Sequence, residues 1–344
     1  MQIEKKEAAL PLLAITLGDP AGIGPEIILK ALQNPAVFEQ CRPVVVGDRR
    51  ILERAARQMG AEPGRLEVVS DPSKGVYQTG AIMLIDLRNA PPESCPTGLL
   101  SAASGKAAVE YVLRACYLAM EGQVDGIVTA PLNKEAINLA GFHYAGHTEI
   151  LTEHTAAKNV SMLLVGSNLK VVHVSTHVSL EEAIRRVTRK RVEEVIHLAH
   201  SACLALGIAE PRIAVAGLNP HAGENGLFGN QESREILPAV LAARAQGLRV
   251  SDPMPPDTVF LRTVKGEFDI VVAMYHDQGH IPMKLLGFDE GVNVSIGLPI
   301  IRTSVDHGTA FDIAGKGLAS ANSLLAAIRV ACQMVAAKKS GVVK

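Results

Sequence analysis

Short runs of apolar residues alternate along this chain with longer segments in which apolar residues recur at helical spacing. Eight short runs are rich in Val, Ile, Leu and Ala, and their length and β-branching predict buried parallel β-strands. Helices are predicted where the spacing is helical. This alternation of strands and helices predicts an α/β fold. The predicted strands are residues 12–17, 43–46, 82–85, 126–128, 162–165, 171–174, 213–216 and 270–274, and the predicted helices are 25–32, 105–120, 191–206 and 232–245.

The composition narrows the class of protein. The chain has 344 residues, of which 48% are hydrophobic, so it is long enough for two domains around a large core. The formal net charge is −1 and only 3% of residues are aromatic. Because the basic residues are scattered, we expect no nucleic-acid partner. No apolar run reaches the roughly 18 residues needed to span a bilayer, so we expect no membrane partner. A small anionic ligand would have to be held by local charges.

The cysteines and the N-terminal segment indicate the compartment. The chain has five cysteines and no C-x-x-C pair, which predicts free thiols and a cytoplasmic protein. Two lysines precede the first apolar run, a pattern that resembles a signal peptide. That run leads into a Gly-rich turn without an A-x-A cleavage site. We therefore interpret it as a buried first strand.

Three histidines stand where predicted strands give way to loops: His177, His221 and His276. In open α/β sheets, ligands bind beyond the carboxyl ends of the strands, so three such loops can converge on one site. Neutral imidazoles suit zinc, cobalt or nickel better than magnesium. Each histidine is also explained as an ordinary loop residue, because the separations far exceed those of a local motif such as H-E-x-x-H. His173 lies inside a strand, and we interpret it as a core histidine.

Other polar residues indicate an anion site less specifically. Residues 18–26 form a Gly-rich turn that matches neither G-x-G-x-x-G nor a P-loop. Lys284 and Arg302 could hold a carboxylate or phosphate, although each alone is also explained as a surface charge. His147 and Thr148 open a helical stretch whose N-terminus would favour an anion, although Thr148 alone could be a plain N-cap.

Taken together, these segments resemble the 4-hydroxythreonine-4-phosphate dehydrogenase family of pyridoxal phosphate biosynthesis. The resemblance spans residues 12–335, nearly the whole chain. A second likeness links residues 307–318 (HGTAFDIAGKGL) to the adenosine-binding loop of isopropylmalate dehydrogenase. The strings that carry the family resemblance are TLGDPAGIGPE (16–26), GHTE (146–149), TH (176–177), GLNPHAG (217–223), MYHDQG (274–279) and GLPIIRTSVDHGTA (297–310).

The resemblance implies two α/β/α domains of the isocitrate/isopropylmalate dehydrogenase type. The first would comprise residues 1–135 and 296–344 and carry the cofactor loop. The second, residues 136–295, would carry the metal ligands and the dimer interface. The active site would lie in the interdomain cleft and be shared across a homodimer, with some metal ligands coming from the partner subunit.

The family's functional residues can be carried over position by position. An acid at Asp312 would accept hydrogen bonds from the adenosine ribose hydroxyls and repel a 2′-phosphate, so NAD is expected over NADP. Asp257 and Lys284 are the candidate base and acid, although Asp257 is equally explained as a turn cap. The implied metal ligands are His177, His221 and His276, the substrate contacts are His147, Thr148, Lys284, Asn293 and Arg302, and the cofactor contacts are His307, Gly308, Thr309, Ala310, Asp312 and Ile313.

Three strings depart from the biosynthetic enzymes: HIPMKLLGF (280–288), PDTVFL (256–261) and FDIAGKG (311–317). They look more like the paralogous branch that acts on D-threonate 4-phosphate and D-erythronate 4-phosphate in sugar-acid breakdown. This likeness implies NAD-dependent oxidation of the C3 hydroxyl, followed by decarboxylation to dihydroxyacetone phosphate. It also implies one divalent ion per site, which could be zinc, cobalt, manganese or magnesium, with zinc or cobalt favoured by the imidazoles.

Three alternatives remain open at this point. The chain could be the biosynthetic hydroxythreonine phosphate enzyme. It could be a non-redox lyase or hydrolase with a three-histidine metal site, which would form no NADH. It could also be an inactive binding protein that keeps the fold, although retention of all three histidines and Asp312 argues against this.

Overall fold

The computed structural model describes residues 9–62, 64–286 and 290–341. Residues 287–288 of the string 280–288, residues 1–8, 63 and 342–344 of the first predicted domain and residues 287–289 of the second lie outside this part. All eight predicted runs are strands of a single 12-stranded sheet. The strands are β1 (Leu12–Thr16), β2 (Arg42–Gly47), β3 (Arg65–Val68), β4 (Ala81–Asp86), β5 (Gly126–Thr129), β6 (Ser161–Val165), β7 (Lys170–His173), β8 (Arg212–Ala216), β9 (Arg249–Met254), β10 (Ile270–Ala273), β11 (Val292–Ile296) and β12 (Arg302–Val305).

The four predicted helices are also present, the last as a π-helical turn (Glu232–Ile236) that continues into an α-helix. Across the described ranges, no helix combines the length and the apolar character needed to cross a membrane. The α-helices are α1 (Gly24–Ala31), α2 (Pro35–Gln40), α3 (Arg49–Gln58), α4 (Ala102–Met120), α5 (Lys134–Leu139), α6 (His147–Thr155), α7 (Leu180–Arg186), α8 (Arg189–Ala205), α9 (Leu237–Ala245), α10 (Pro256–Val264), α11 (His276–Leu286) and α12 (Asn322–Lys339).

The sheet is mixed rather than all parallel. Its order is β3-β4-β2-β1-β5-β12-β11-β6-β7-β10-β8-β9. β11 runs antiparallel to β12 and β6, and β6 runs antiparallel to β7. The prediction of parallel strands is therefore wrong for β6. Only residues 166–169 join β6 to β7, and so short a connection forms a hairpin because a parallel crossover needs a dozen or more residues.

Four strands were not predicted, for two different reasons. β3 and β9 lie at the edges of the sheet, and many of their side chains are exposed or half-buried. Their apolar pattern is weak because only part of each strand faces the core. β11 and β12 are mostly buried, yet they carry the polar residues Asn293, Ser295, Arg302 and Ser304. These polar residues lie at the centre of the sheet, next to a cavity.

Helices cover both faces of the sheet, so the predicted α/β class is confirmed. On one face, Met162 and Val171 of the strands pack with Phe260 of α10 and Met283 of α11. On the other face, helices α8, α9 and α12 pack into the large hydrophobic core. The predicted domain boundaries stay a prediction, because the sheet continues through the junction of β12 with β11.

The Gly-rich turn between β1 and α1 requires glycine at two positions. Gly18 has a φ of 72°, and a Cβ on Gly24 would lie 2.2 Å from the carbonyl oxygen of Leu17. Asp19 is fully buried within this turn. Its Oδ1 accepts a hydrogen bond from the Ala21 N–H at 2.8 Å, and its Oδ2 has no partner among the described residues. Burial raises the pKa of Asp19 to about 6, although the Ala21 hydrogen bond acts in the opposite direction.

We expect Asp19 to make the protein less stable as the pH rises from 4 to 7. The carboxyl loses its proton near pH 3.8 in the unfolded chain and near pH 6 in the folded one. Between these values the folded state binds more protons, so raising the pH favours unfolding. Asp19→Asn keeps an acceptor for Ala21 but cannot ionise. Its free energy of unfolding, relative to wild type, should therefore rise by roughly 2–3 kcal/mol between pH 4 and pH 7 in urea titrations. A difference independent of pH would contradict this expectation.

Candidate active site

A cavity of about 320 Å³ lies over one face of the sheet, where β5, β12, β11 and β6 run side by side. Asn293 pairs with Ser304, and Ser295 and Arg302 lie two residues further along these strands. These four side chains share a face because side chains alternate along a strand. The start of α6, part of α11 and residues 306–308 form the other walls. The cavity thus lies where the strand direction changes, at the carboxyl ends of the parallel strands β5 and β12 and over the neighbouring face of β11 and β6.

Arg302 contributes a buried positive charge to this cavity. The side chain is 2% exposed. Its guanidinium donates hydrogen bonds to the Thr129 hydroxyl at 2.7 Å and to the Ser295 hydroxyl at 3.0 Å. Among the described residues, no carboxylate lies close enough to form an ion pair with it. Burial lowers the pKa of Arg302 to about 9, and the charge of Glu149 acts in the opposite direction. A buried cation held only by neutral partners is suited to receive an anionic ligand.

The first turn of α6 faces the same cavity. Thr148 forms a hydroxyl–hydroxyl hydrogen bond of 2.8 Å with Ser295. The Nε2 atom of His147 is buried and has no hydrogen-bond partner in the part of the chain that the structure describes. Burial, and then the nearby charge of Arg302, hold the pKa of His147 well below its usual range. His147 is therefore neutral, and the N–H groups at the positive end of the α6 dipole beside it can bind an anion.

The rings of four histidines lie close together beside the cavity: His173, His177, His276 and His280. The ring centroids of His276 and His280 are 3.6 Å apart in a stacked arrangement, and those of His173 and His280 are 4.8 Å apart. His173 is fully buried, as expected of a core histidine, and its Nδ1 lies 3.3 Å from the Met162 carbonyl oxygen. Burial lowers the pKa of His173 to about 3 and that of His280 to about 4. The rings of His173 and His280 are therefore neutral at physiological pH.

The three predicted metal ligands follow three neighbouring strands. His177 follows β7, His276 follows β10 and His221 follows β8. The ring centroids of His177 and His276 are 5.9 Å apart. His221 is exposed in a turn whose residues 221–225 all have positive φ, and its ring lies 6.0 Å from that of Phe228.

These imidazoles fit a divalent ion in their chemistry. Burial lowers the pKa of His177, with the charge of Lys134 acting in the same direction, so its ring is neutral as a metal ligand must be. Within one chain, however, the described residues contain no group of three His, Cys, Asp or Glu side chains that could hold a metal ion. One copy of the chain therefore does not assemble the predicted ligand set by itself.

Lys284 and Asn293 reach the cavity region from different elements. The Lys284 ammonium, in the last turn of α11, donates to the Asp306 carbonyl oxygen at 2.9 Å and pairs with the Asp306 carboxylate at 2.5 Å. Asp306 itself lines the cavity. Asn293 lines it too, and its Oδ1 accepts from the Arg302 guanidinium at 3.5 Å. Asn293 thus lines the cavity and Lys284 contacts its wall through Asp306, while their role as substrate contacts stays a prediction.

The predicted cofactor loop follows β12 and is held by the first half of the chain. The carbonyl of buried Thr309 accepts a hydrogen bond from the Ile23 N–H at 3.0 Å. Ala310 has a φ of 41°, and the Ile313 N–H closes the following turn on the Ala310 carbonyl oxygen at 3.1 Å. The Gly-rich turn at residues 18–26 therefore supports the loop.

The two ends of this loop face different surroundings. His307 and Gly308 line the cavity, and a Cβ on Gly308 would meet no described atom within 4 Å. Asp312 is exposed. An open backbone next to the cavity and an accessible carboxylate five residues after His307 fit the ribose and phosphate groups of a dinucleotide.

Asp257, like His221, is a predicted site residue that lies away from this cavity in its own chain. It is exposed in the first turn of α10 and does not line the cavity of its own chain. Sequence reasoning in turn missed the cavity residues Lys134 and His280. His280 follows His276 by four residues on one helix, so a search for histidines at helical spacing would have found it. Lys134 carried no such signal.

Comparison with known proteins identifies the family. The family described as pyridoxal phosphate biosynthetic protein PdxA matches residues 39–331. A D-threonate 4-phosphate dehydrogenase from Cupriavidus necator is 52% identical over 94% of this chain and 97% of its own length. A 4-hydroxythreonine-4-phosphate dehydrogenase from Desulforapulum autotrophicum is 45% identical over 93% of this chain and 94% of its own.

Solved structures agree with this result. The crystal structure of 4-hydroxythreonine-4-phosphate dehydrogenase from Klebsiella pneumoniae has a TM-score of 0.86 and 46% identity, covering 94% of this chain and 99% of that one. The resemblance predicted from the sequence is confirmed, as is the prediction of an oxidoreductase that acts on a CH–OH group. The chain therefore belongs to the PdxA family of dehydrogenases.

Proposed function

We propose that this protein oxidises the C3 hydroxyl of 4-phospho-D-threonate or 4-phospho-D-erythronate with NAD and a divalent metal ion, and then releases carbon dioxide to give dihydroxyacetone phosphate. The observation that carries the proposal is the buried Arg302 guanidinium, which has only neutral hydrogen-bond partners beside a cavity of about 320 Å³. The proposal follows the D-threonate branch because the Cupriavidus relative, 52% identical, bears that name.

The charges around the cavity match such a substrate. A phosphorylated C4 acid carries roughly three negative charges, counting a phosphate near −2 and one carboxylate. Arg302 offers a planar fork for one of these groups. The N–H groups at the start of α6, with the Thr148 hydroxyl, offer a second anion site. Lys134 lines the cavity as a second cation, and Lys284 contacts Asp306 of the cavity wall.

The proposed reaction is a two-electron oxidation at C3 followed by a decarboxylation. A hydride leaves C3 and the C3 hydroxyl loses its proton to a base, with NAD as the oxidant and NADH as the product. The 3-oxo acid then loses its carboxylate as carbon dioxide, and the released electron pair on C2 takes up a proton. A divalent ion at the histidines would supply Lewis-acid polarisation of the C3 oxygen. In this scheme Lys284 delivers the proton to C2, and Asp257 is the base supplied from a second copy of the chain.

The cofactor is NAD, bound along His307, Gly308, Thr309, Ala310, Asp312 and Ile313. Supporting this assignment, the exposed Asp312 carboxylate can accept hydrogen bonds from both ribose hydroxyls. A 2′-phosphate at the same place would be repelled by that carboxylate, so NADP would bind less tightly.

The active form is a homodimer in which the metal ligands come from two copies. Exposed apolar side chains near the histidines support this arrangement: Leu227 is 73% and Phe228 is 47% exposed in the turn that carries His221. A second copy would cover such side chains and would supply an imidazole that one chain lacks. All five cysteines are free, which supports our assignment of the protein to the cytoplasm.

The proposal is tested by offering the purified protein NAD, one divalent metal ion and a series of phosphorylated C4 acids. We expect NADH from 4-phospho-D-threonate or 4-phospho-D-erythronate, together with dihydroxyacetone phosphate in a coupled assay. Removing the metal with a chelator should abolish both signals, and restoring zinc or cobalt should recover them. If none of the acids yields NADH under any metal condition, the proposed function is wrong.

A second candidate is oxidation of 4-phosphohydroxythreonine, because the Desulforapulum relative is named for that substrate. It differs from the first substrate in carrying an ammonium group at C2 instead of a hydroxyl. Comparison of kcat/KM for the two substrates in the same assay decides between them. A preference for the amino acid would assign this chain to vitamin synthesis.

A further inference from the structure

His280 is a cavity residue to which the proposed function gives no role. Its ring is stacked on that of His276, with centroids 3.6 Å apart and planes inclined by 11°. The buried ring of His173 lies 4.8 Å away. This packing depends on Gly279, because a Cβ there would lie 2.3 Å from the Nε2 atom of His173. The orientation of His280 on the cavity wall is thus fixed by two neighbouring rings.

A hydrogen bond determines which nitrogen of His280 is available to a ligand. Its Nδ1 lies 3.1 Å from the carbonyl oxygen of His276. A carbonyl oxygen can only accept, so Nδ1 carries the proton and donates. In the neutral ring the lone pair is then on Nε2. His280 therefore offers the cavity an oriented hydrogen-bond acceptor.

We propose that His280 is a positioning residue whose Nε2 accepts a hydrogen bond from the C2 hydroxyl of the substrate. This inference rests on the proposed function. The phosphate and carboxylate of the substrate are acceptors only, so they suit Arg302 and the start of α6 and cannot bond to a lone pair. The hydroxyls are the remaining donors. The C3 hydroxyl gives its proton to a base during oxidation, whereas the C2 hydroxyl keeps its proton.

Two substitutions separate the functions of the two ring nitrogens. His280→Asn retains a donor near the position of Nδ1 and removes the acceptor at Nε2. His280→Gln can place an amide oxygen near the position of Nε2. The matched control is His154→Asn, an exposed histidine in the last turn of α6. Each protein is compared on 4-phospho-D-threonate and on 3-hydroxy-4-phosphobutanoate, which lacks the C2 hydroxyl.

We expect His280→Asn to lower kcat/KM for 4-phospho-D-threonate by about tenfold, the value of one hydrogen bond of about 1.4 kcal/mol. The same variant should change kcat/KM for the deoxy substrate by less than about twofold, since no bond is lost there. His280→Gln should retain more of the preference for the hydroxylated substrate than His280→Asn. Without NAD, the rise in Tm caused by 4-phospho-D-threonate relative to that caused by the deoxy acid should likewise be larger for His280→Gln than for His280→Asn. Each variant should bind as much metal as wild type.

Three outcomes would overturn the role of His280. The first is an equal loss on both substrates in His280→Asn, which would indicate a structural role. The second is identical behaviour of the Asn and Gln variants. The third is loss of bound metal, which would make His280 a metal ligand. If wild type oxidises neither acid, the proposed function fails, and the Tm shifts without NAD still decide whether Nε2 contacts the C2 hydroxyl.

Discussion

Replacing Arg302 by methionine is expected to lower kcat/KM by about a thousandfold and to leave the free energy of unfolding unchanged or higher. Two charge-assisted hydrogen bonds to the substrate, at about 2 kcal/mol each, correspond to this loss of activity. Stability should not fall, because Arg302 is 2% exposed and no carboxylate among the described residues offsets the cost of burying its charge. Removing such a charge in favour of an apolar side chain is often neutral or stabilising.

Arg191 provides a matched control for this experiment. It donates to the carbonyl oxygens of Val174 and Val160 at 3.1 and 3.0 Å and thereby ties two strand ends together. Arg191→Met should therefore lose stability and keep activity, the reverse of Arg302→Met. Arg302→Lys keeps the charge without the planar fork, and we expect a loss of activity without a gain in stability. If Arg302→Met were strongly destabilised in urea titrations, Arg302 would be a structural residue and the anion site would lie elsewhere.

Mixing inactive histidine variants is expected to restore activity if the metal site is shared between two copies. His177→Ala, His221→Ala and His276→Ala should each be inactive, because each removes one of three ligands. When two variants are unfolded together and refolded, random pairing makes half of the dimers mixed. A mixed dimer has one intact site of two if the two substituted ligands come from different copies. About a quarter of wild-type activity and metal should then return.

Which of the three possible mixtures regain activity shows how the three histidines are divided between the two copies. With two ligands from one copy and one from the other, two mixtures should recover and one should not. The mixture that fails identifies the two histidines that come from the same copy. Wild type carried through the same refolding is the control for yield. Recovery in none of the mixtures would mean that a single chain holds the whole site, against our proposal.

The sequence named residues that the structure brings together, but it did not show how they are arranged. Arg302, His147, Thr148 and Asn293, which the family resemblance implied as substrate contacts, all line the cavity, and their contact with substrate stays a prediction. The direction of β6 was predicted wrongly because strand polarity depends on the length of a connection, which hydrophobic pattern does not reveal. The cavity lies partly beyond the ends of β5 and β12 and partly over the face of β11 and β6, an arrangement that the hydrophobic pattern could not indicate.

The local pattern of the chain determined its α/β class, eight of its strands and the family to which it belongs, because periodicity and motif strings are properties of neighbouring residues. Tertiary structure alone decided that Arg302 is a buried cation. Its hydrogen-bond partner Thr129 lies 173 residues earlier in the chain, and the two meet only because β12 pairs with β5. Burial and electrostatic environment depend on such long-range pairing. In the sequence Arg302 looks like any other arginine, and only this pairing places its charge where an anion can bind.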